Sequence, residues 1–252
     1  MKNLFSRENL NNYIAKYSKL KVPIDLIERV YTSRLLGSDP NLVLHGGGNT
    51  SVKSTWKDID GEIHKIIYVK GSGWDLSNIE PNGFPGIKIN PLMKILNKKT
   101  VTDEEMVNFT RKNLINNSSP NPSVESLVHA IISEKFVDHT HSNSILEITN
   151  QSKGMQLTKS LFGKNFIIIP YVMPGYLLAK KVNEMYNKDN PNIHGLILFR
   201  HGIFTFANTA EESYARMINA VNKAQRYLKK CKVKNLKKIS IKKLIISSAE
   251  MS

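Results

Sequence analysis

The sequence predicts a single three-layer α/β domain, and three observations carry that expectation. Helical and strand-like segments alternate along the chain, no Pro/Gly/Ser-rich linker divides it, and no internal repeat is present. At 252 residues, 40% hydrophobic and 23% charged, the chain is also long enough to bury a full core. Residues 1–230 are read as the domain and residues 231–252 as a basic C-terminal tail.

The elements follow in order. Arg7 to Leu20 and Ile24 to Leu36 have apolar residues at three- and four-residue spacing and read as helices, with Pro23 at their junction. The run His45-Gly46-Gly47-Gly48-Asn49-Thr50-Ser51 is a glycine-rich loop entering a short strand around Thr50 to Ser54. His64 to Lys70 is rich in β-branched and aromatic residues and ends at the turn Gly71-Ser72-Gly73. Thr102-Asp103-Glu104-Glu105 caps a helix to about Leu114, because a hydroxyl followed by acids complements a helix N-terminus. After the loop Pro120 to Pro122, Ser123 reads as the N-cap of a helix to Ser133. Phe136 to His139 is a short buried strand and Ser142 to Asn150 a helix. Phe166 to Ile169 then reads as a strand and Gly175 to Asn187 as a helix. His194 to Phe199 and Ile203 to Phe206 pair as a hairpin around Arg200-His201-Gly202, and Thr209 opens a long amphipathic helix to about Lys230.

Composition excludes several classes. The single cysteine, Cys231, allows neither a disulfide framework nor a cysteine zinc site, which fits a reducing cytoplasm. The polar start Met1-Lys2-Asn3-Leu4-Phe5-Ser6-Arg7 lacks the apolar centre of a signal peptide. The longest apolar region, Phe166 to Ala179, is broken by Pro170, Pro174 and Gly175 and falls short of the roughly 20 residues of a membrane helix. The formal net charge of +15 points at first to a polyanion. From Val221 onward, however, ten basic residues face only Glu250, so nine of those charges sit in one segment. No aromatic residue interleaves with these lysines after Tyr227, which argues against a nucleic-acid partner.

The chemistry lies in Asp138-His139-Thr140-His141. Side chains alternate across a strand, so His139 and His141 point the same way and their imidazoles can converge on one metal ion. His201, at the hairpin turn, is placed to supply a third ligand from an adjacent strand. Three protein ligands leave positions open, as a catalytic zinc site requires. Glu125, in the first turn of its helix, is the candidate general acid/base, and His129 four residues on is placed to orient it. The remaining histidines, His45, His64, His129 and His194, have no comparable pairing and read as structural, His129 being the one that shares a helix face with Glu125. Gly48, Asn49, Ser72, Gly73 and Ser123 form a candidate phosphate cradle, the glycines freeing backbone N–H groups and the Asn and Ser side chains adding donors. Together these features point to a divalent-metal enzyme gripping an anion, a sugar phosphate above all.

The runs Leu44-His45-Gly46-Gly47-Gly48-Asn49-Thr50-Ser51-Val52-Lys53, Lys70-Gly71-Ser72-Gly73-Trp74-Asp75-Leu76, Pro122-Ser123-Val124-Glu125, His139-Thr140-His141 and Arg200-His201-Gly202 resemble, in this order, those of the class II aldolase/adducin family. The likeness spans roughly residue 25 to residue 230 and is greatest to the aldolase half of bifunctional rhamnulose-1-phosphate aldolase/alcohol dehydrogenases. Many aldolases of the family carry two serines before the glutamate. Here the second is Val124, as in that bifunctional group.

The resemblance implies an α/β/α fold with a mostly antiparallel central sheet and a zinc ion on His139, His141 and His201, although three imidazoles also take other divalent cations. It implies Glu125 as the catalytic acid/base and, in most members, a cyclic homotetramer. The implied reaction is metal-assisted cleavage of a ketose 1-phosphate to dihydroxyacetone phosphate and an aldehyde such as lactaldehyde. In related epimerases an aspartate stands at the position of Glu125, so glutamate favours aldolase or dehydratase chemistry. A sugar-phosphate dehydratase or epimerase, or a non-catalytic adducin-like binding module, are the competing readings. Family members often use a tyrosine of the neighbouring subunit, which no residue here matches; Tyr171 and Tyr176 read as packing residues. No G-x-G-x-x-G follows a strand before Ser252, so no nicotinamide cofactor is expected.

Overall fold

The structure, a computed structural model, describes residues 1–187 and 189–231; apart from Cys231, the anticipated basic tail lies outside the described residues. Among the described residues, seven strands form one open sheet in the order β3-β2-β1-β4-β7-β6-β5. The strands are β1 (Asn49–Lys57), β2 (Ile63–Val69), β3 (Gly86–Lys88), β4 (Phe136–Thr140), β5 (Phe166–Ile169), β6 (Gly195–Leu198) and β7 (Gly202–Ala207). Every neighbouring pair is antiparallel except β5 and β6. The mostly antiparallel centre and the two helical layers match what the resemblance implied.

Alternation along the strands sorts side chains between those layers. On one face Ile67, Val137, Leu196, Phe204 and Phe206 pack with α3 (Ile89–Lys94), α4 (Asp103–Lys112), α5 (Ser126–Ile131) and α8 (Tyr176–Met185). On the other, Val52, Phe136, Ile197 and Ile203 pack with α1 (Arg7–Tyr17), α2 (Ile24–Gly37), α6 (Asn143–Thr149), α7 (Gly154–Phe162) and α9 (Ala210–Lys230). In β4 the alternation separates charge from chemistry. Asp138 turns to the second face, where Arg29 Nη2 reaches its Oδ1 at 2.5 Å and Ser213 Oγ donates to its Oδ2 at 2.5 Å. His139 turns to the first.

Two sequence expectations need correction. The helix anticipated from Ser123 starts at Ser126, with Glu125 as its cap residue rather than in its first turn. The Ser123 carbonyl accepts from both the N–H and the hydroxyl of Ser126, closing a tight turn before the helix can begin. Strand β3, with α3 behind it, was not anticipated, because three residues of edge strand give too short a pattern to read. Helix α7 fills the stretch between Asn150 and Phe166 that had no assignment.

Candidate active site

Register places the site. Asn49 of β1 lies opposite His139 of β4, and His139 lies opposite Phe204 of β7, so one row crosses three adjacent strands on the α5 face. His141 follows two residues after His139, just beyond the end of β4. His201 comes from the β6–β7 turn, where Arg200 takes φ 61° and the His201 N–H returns to the Leu198 carbonyl at 3.0 Å. Gly202 lets the rings close up: a Cβ there would stand 2.5 Å from the Thr140 carbonyl oxygen and 3.0 Å from the His139 ring. The three imidazoles anticipated as ligands therefore converge, with ring centroids 4.8, 5.1 and 5.2 Å apart.

The electrostatics follow from burial. His139 is fully buried, and desolvation, reinforced by His141 and His201, holds its pKa well below the usual imidazole range. Burial also lowers His141 and His201, the latter against the opposing pull of Glu125. Three neutral rings result, each with one nitrogen lone pair. The His139 Nδ1–H donates to the Ile203 carbonyl at 3.1 Å, which leaves Nε2 as the lone-pair nitrogen, 3.1 Å from His141 Nε2. Glu125 enters from the turn before α5, with Oε2 3.4 Å from His139 Nε2 and Oε1 3.5 Å from His201 Nε2. Burial raises the Glu125 pKa, against His201, the Asn49 amide and Lys70, all of which favour the carboxylate.

A divalent cation fits this donor set. Ligand atoms of His139, His141 and His201 lie within 4.8 Å of one another, and the rings are in the neutral form that ligates metals. With its Nδ1–H spent on the Ile203 carbonyl, His139 Nε2 presents a lone pair 3.1 Å from His141 Nε2. Glu125 Oε1 and His201 Nδ1 are buried without a hydrogen-bond partner, and orphaned polar atoms of this kind are costly and mark a site made for something else. A second grouping, Asp58, Glu62 and His64, is different: Asp58 already accepts from the N–H groups of Asp60 and Glu62 and binds His64 Nε2 at 2.6 Å. Its carboxylate is satisfied.

The five residues of the anticipated anion cradle also lie together. Gly71 bridges to Pro122, the Ser72 N–H donates to the Asn121 carbonyl at 2.7 Å, and the Ser123 N–H donates to the Lys70 carbonyl at 3.3 Å. The side-chain amide of Asn49 joins the glycine loop to this group, donating to Ser123 Oγ at 3.1 Å and to Glu125 Oε2 at 2.7 Å. Several expected donors are thus already engaged within the protein. What stays open is the exposed Ser72 side chain and the space around Gly73, at φ 85°, where an added Cβ would meet nothing within 4 Å.

Lys70 opens the Lys70-Gly71-Ser72-Gly73 motif, and the sequence alone gives it no role. The structure buries it to 4% exposure beneath this loop, with Nζ donating to the Gly46 carbonyl at 2.9 Å. Burial lowers its pKa while Asp75 and Glu125 pull the other way. The signal was legible: a lysine closing the apolar strand Ile66-Ile67-Tyr68-Val69 has to lead its charge somewhere.

A sequence profile describing the class II aldolase and adducin N-terminal domain matches residues 27–228. An uncharacterized oxidoreductase of Bacillus subtilis (strain 168), YuxG, is 36% identical over 208 residues, covering 82% of this chain and 30% of that protein. The chain therefore spans less than a third of that relative's length. The N-terminal class II aldolase domain of a conserved protein from Thermoplasma acidophilum superposes with a TM-score of 0.79 at 39% identity, over 90% of this chain and 99% of that one. A sugar-phosphate aldolase from Thermotoga maritima shares the fold with a TM-score of 0.60 at 12% identity, over 90% and 98% of the two chains. An L-fuculose-1-phosphate aldolase from Thermus thermophilus does so with 0.52 at 15%, over 80% and 95%.

Proposed function

The chain belongs to the class II aldolase and adducin family, and from that premise and the site's geometry we propose that it is a metal-dependent aldolase cleaving a ketose 1-phosphate, rhamnulose 1-phosphate or a close relative. One observation carries the reading. Glu125 keeps one buried carboxylate oxygen, Oε1, without a partner, 3.5 Å from one of three neutral imidazoles. A scaffold protein would have no reason to hold a bare carboxylate there.

In this reading His139, His141 and His201 hold a divalent cation, zinc in the first instance, which supplies Lewis acidity toward the substrate carbonyl. The chain's own groups do the rest. Breaking the C3–C4 bond leaves its electron pair on C3, while the C4 hydroxyl passes its proton to water as C4 becomes an aldehyde, and water in turn reprotonates Glu125 after the proton transfer to C3. Glu125 delivers a proton to C3 from Oε1, and burial, which raises its pKa, favours the protonated carboxyl this step uses. The products are dihydroxyacetone phosphate and an aldehyde. The phosphate sits over the open Ser72–Gly73 turn, with Gly48, Asn49 and Ser123 shaping the loop and Lys70 supplying positive charge beneath it. A homotetramer, as in most of the family, belongs to the same proposal.

The test is a coupled assay for dihydroxyacetone phosphate across a panel of ketose 1-phosphates, with Glu125→Gln beside the wild type. Release by the wild type and loss in the variant support the reading. Elimination or inversion without dihydroxyacetone phosphate would replace it with a dehydratase or epimerase.

A further inference from the structure

Strand β1 turns three alternate side chains toward α5, and each bonds to Glu125 or to His129. Asn49 Nδ2 donates to Glu125 Oε2 at 2.7 Å, and its Oδ1 lies 2.5 Å from His129 Nε2. Ser51 Oγ is 2.8 Å from His129 Nδ1, and Lys53 Nζ donates to the His129 carbonyl at 3.1 Å. His129 is fully buried, and its ring meets Phe204 edge-on at 5.2 Å. Phe204 stacks in turn on His139 at 4.1 Å, so one phenyl ring separates His129 from the imidazole cluster.

The proton positions along this chain are fixed by valence. Asn49 Nδ2 faces two acceptors, the Glu125 carboxylate and Ser123 Oγ, so its oxygen must face His129. That oxygen only accepts, so His129 Nε2 carries the hydrogen. Burial beside Lys53 and Arg29 keeps the ring neutral, and Nδ1 therefore accepts from the Ser51 hydroxyl. Hydrogens run one way: Ser51 to His129, His129 to Asn49, Asn49 to Glu125. Were Asn49 flipped, its oxygen would confront the carboxylate. The donor at the His129 position reinforces the orientation that the carboxylate and Ser123 Oγ already favour.

We propose that His129 is a positioning residue: through Asn49 it commits Glu125 Oε2 to a permanent donor and thereby makes Oε1 the oxygen that exchanges protons with substrate. This rests on the aldolase reading for its catalytic consequence, but the proton arrangement stands apart from it. The geometry also assigns the Asn49 amide to the carboxylate rather than to the phosphate.

The test uses the ¹⁵N-labelled full chain, with and without zinc, and compares His129→Leu with His129→Gln, whose amide can still donate to Asn49. Long-range ¹H–¹⁵N spectra should show His129 protonated at Nε2 and bare at Nδ1. Leucine should shift the Asn49 side-chain amide resonances and lower kcat by about 10- to 100-fold, the usual range for groups that orient a reacting residue, with KM and bound zinc unchanged. Glutamine should recover most of both. A His129 protonated at Nδ1, an unmoved Asn49 amide, or glutamine performing no better than leucine would each overturn the proposal. If no ketose phosphate is cleaved by the wild type, the aldolase reading fails, and the spectra alone decide the positioning claim. Should the leucine variant not fold, Ser51→Ala removes the donor to Nδ1; the Nδ1-protonated form should then appear and the Asn49 amide move with it. Unchanged spectra would count against the proposal.

Discussion

His139 Nε2 stands 3.1 Å from His141 Nε2, its lone pair left free because the Nδ1–H of the same ring is spent on the Ile203 carbonyl. The His139 backbone is held by β4 between its two flanking strands, so that ring cannot retreat without leaving a buried position. A lone-pair nitrogen fixed beside two more imidazoles is favourable around a cation.

Metal should therefore stabilise the fold. At free zinc 100-fold above its Kd, mass action adds about 2.7 kcal/mol to stability. For a domain of this size that raises Tm by roughly 2–4 °C per kcal/mol. His139→Ala/His141→Ala should abolish the shift and the bound metal, read by differential scanning calorimetry and elemental analysis. Equal metal in variant and wild type would remove the site.

Gly48 should not tolerate a side chain. Its φ of +65° is a left-handed conformation, and a Cβ would lie 2.5 Å from Val43 Cγ1 and 2.9 Å from the carbonyl oxygen of His139. Gly48→Ala should cost about 1–3 kcal/mol from the backbone alone, measured by urea unfolding. Because the clash falls on the backbone of a proposed ligand, metal affinity should fall with it. An unchanged urea midpoint would show that the loop can rearrange freely.

These two predictions differ in how far the sequence foretold them. The i, i+2 spacing of His139 and His141 was legible because strand geometry alone sends both to one face. His201 was named as a third ligand from its place at the hairpin turn and from the family resemblance; its arrival at the same point depends on β7 pairing with β4, a long-range register that local pattern does not encode. The strand at Thr50 was read, but not that Asn49 falls opposite His139 and so spends its amide on Glu125. Glu125 was found for a wrong local reason, as a first-turn residue, whereas the Ser123–Ser126 turn places it ahead of the helix. What stayed hidden were the partners of buried polar groups such as Lys70, since hydrogen bonding across the sheet is set by tertiary packing.

Lys53 should make stability depend on pH. Burial pushes its pKa down to about 7 from 10.5, with Glu134 opposing, while Nζ donates to the carbonyls of His129 and Glu134. Between those two values the unfolded chain holds the proton and the folded one does not, so this group's contribution rises with pH. Its penalty is full below about pH 7 and gone by about pH 10.5. Relative to Lys53→Met, wild-type stability should climb from about pH 7 to about pH 9.5 by at most about 1.4 kcal/mol per pH unit. Parallel pH profiles would mean that the amine keeps its charge in the fold.

Lys70 should matter for the phosphate and not for the carbon chemistry. It is a buried lysine hydrogen-bonded to the Gly46 carbonyl of the glycine loop, where Asp75 and Glu125 favour its charged form and burial limits screening by water. A charged hydrogen-bonding partner is worth about 1.5–3 kcal/mol, so Lys70→Met should raise KM for a ketose 1-phosphate by roughly 10- to 100-fold. Cleavage of the unphosphorylated ketose, however slow, should change little, and inhibition by inorganic phosphate should weaken in parallel with KM. Lys70 also pulls the Glu125 pKa down, so some change in the pH dependence of kcat accompanies the substitution, with the alkaline limb, where Glu125 loses the proton it delivers, moving upward. Equal losses for phosphorylated and unphosphorylated substrate would show that Lys70 holds the loop in shape and contributes nothing to the anion.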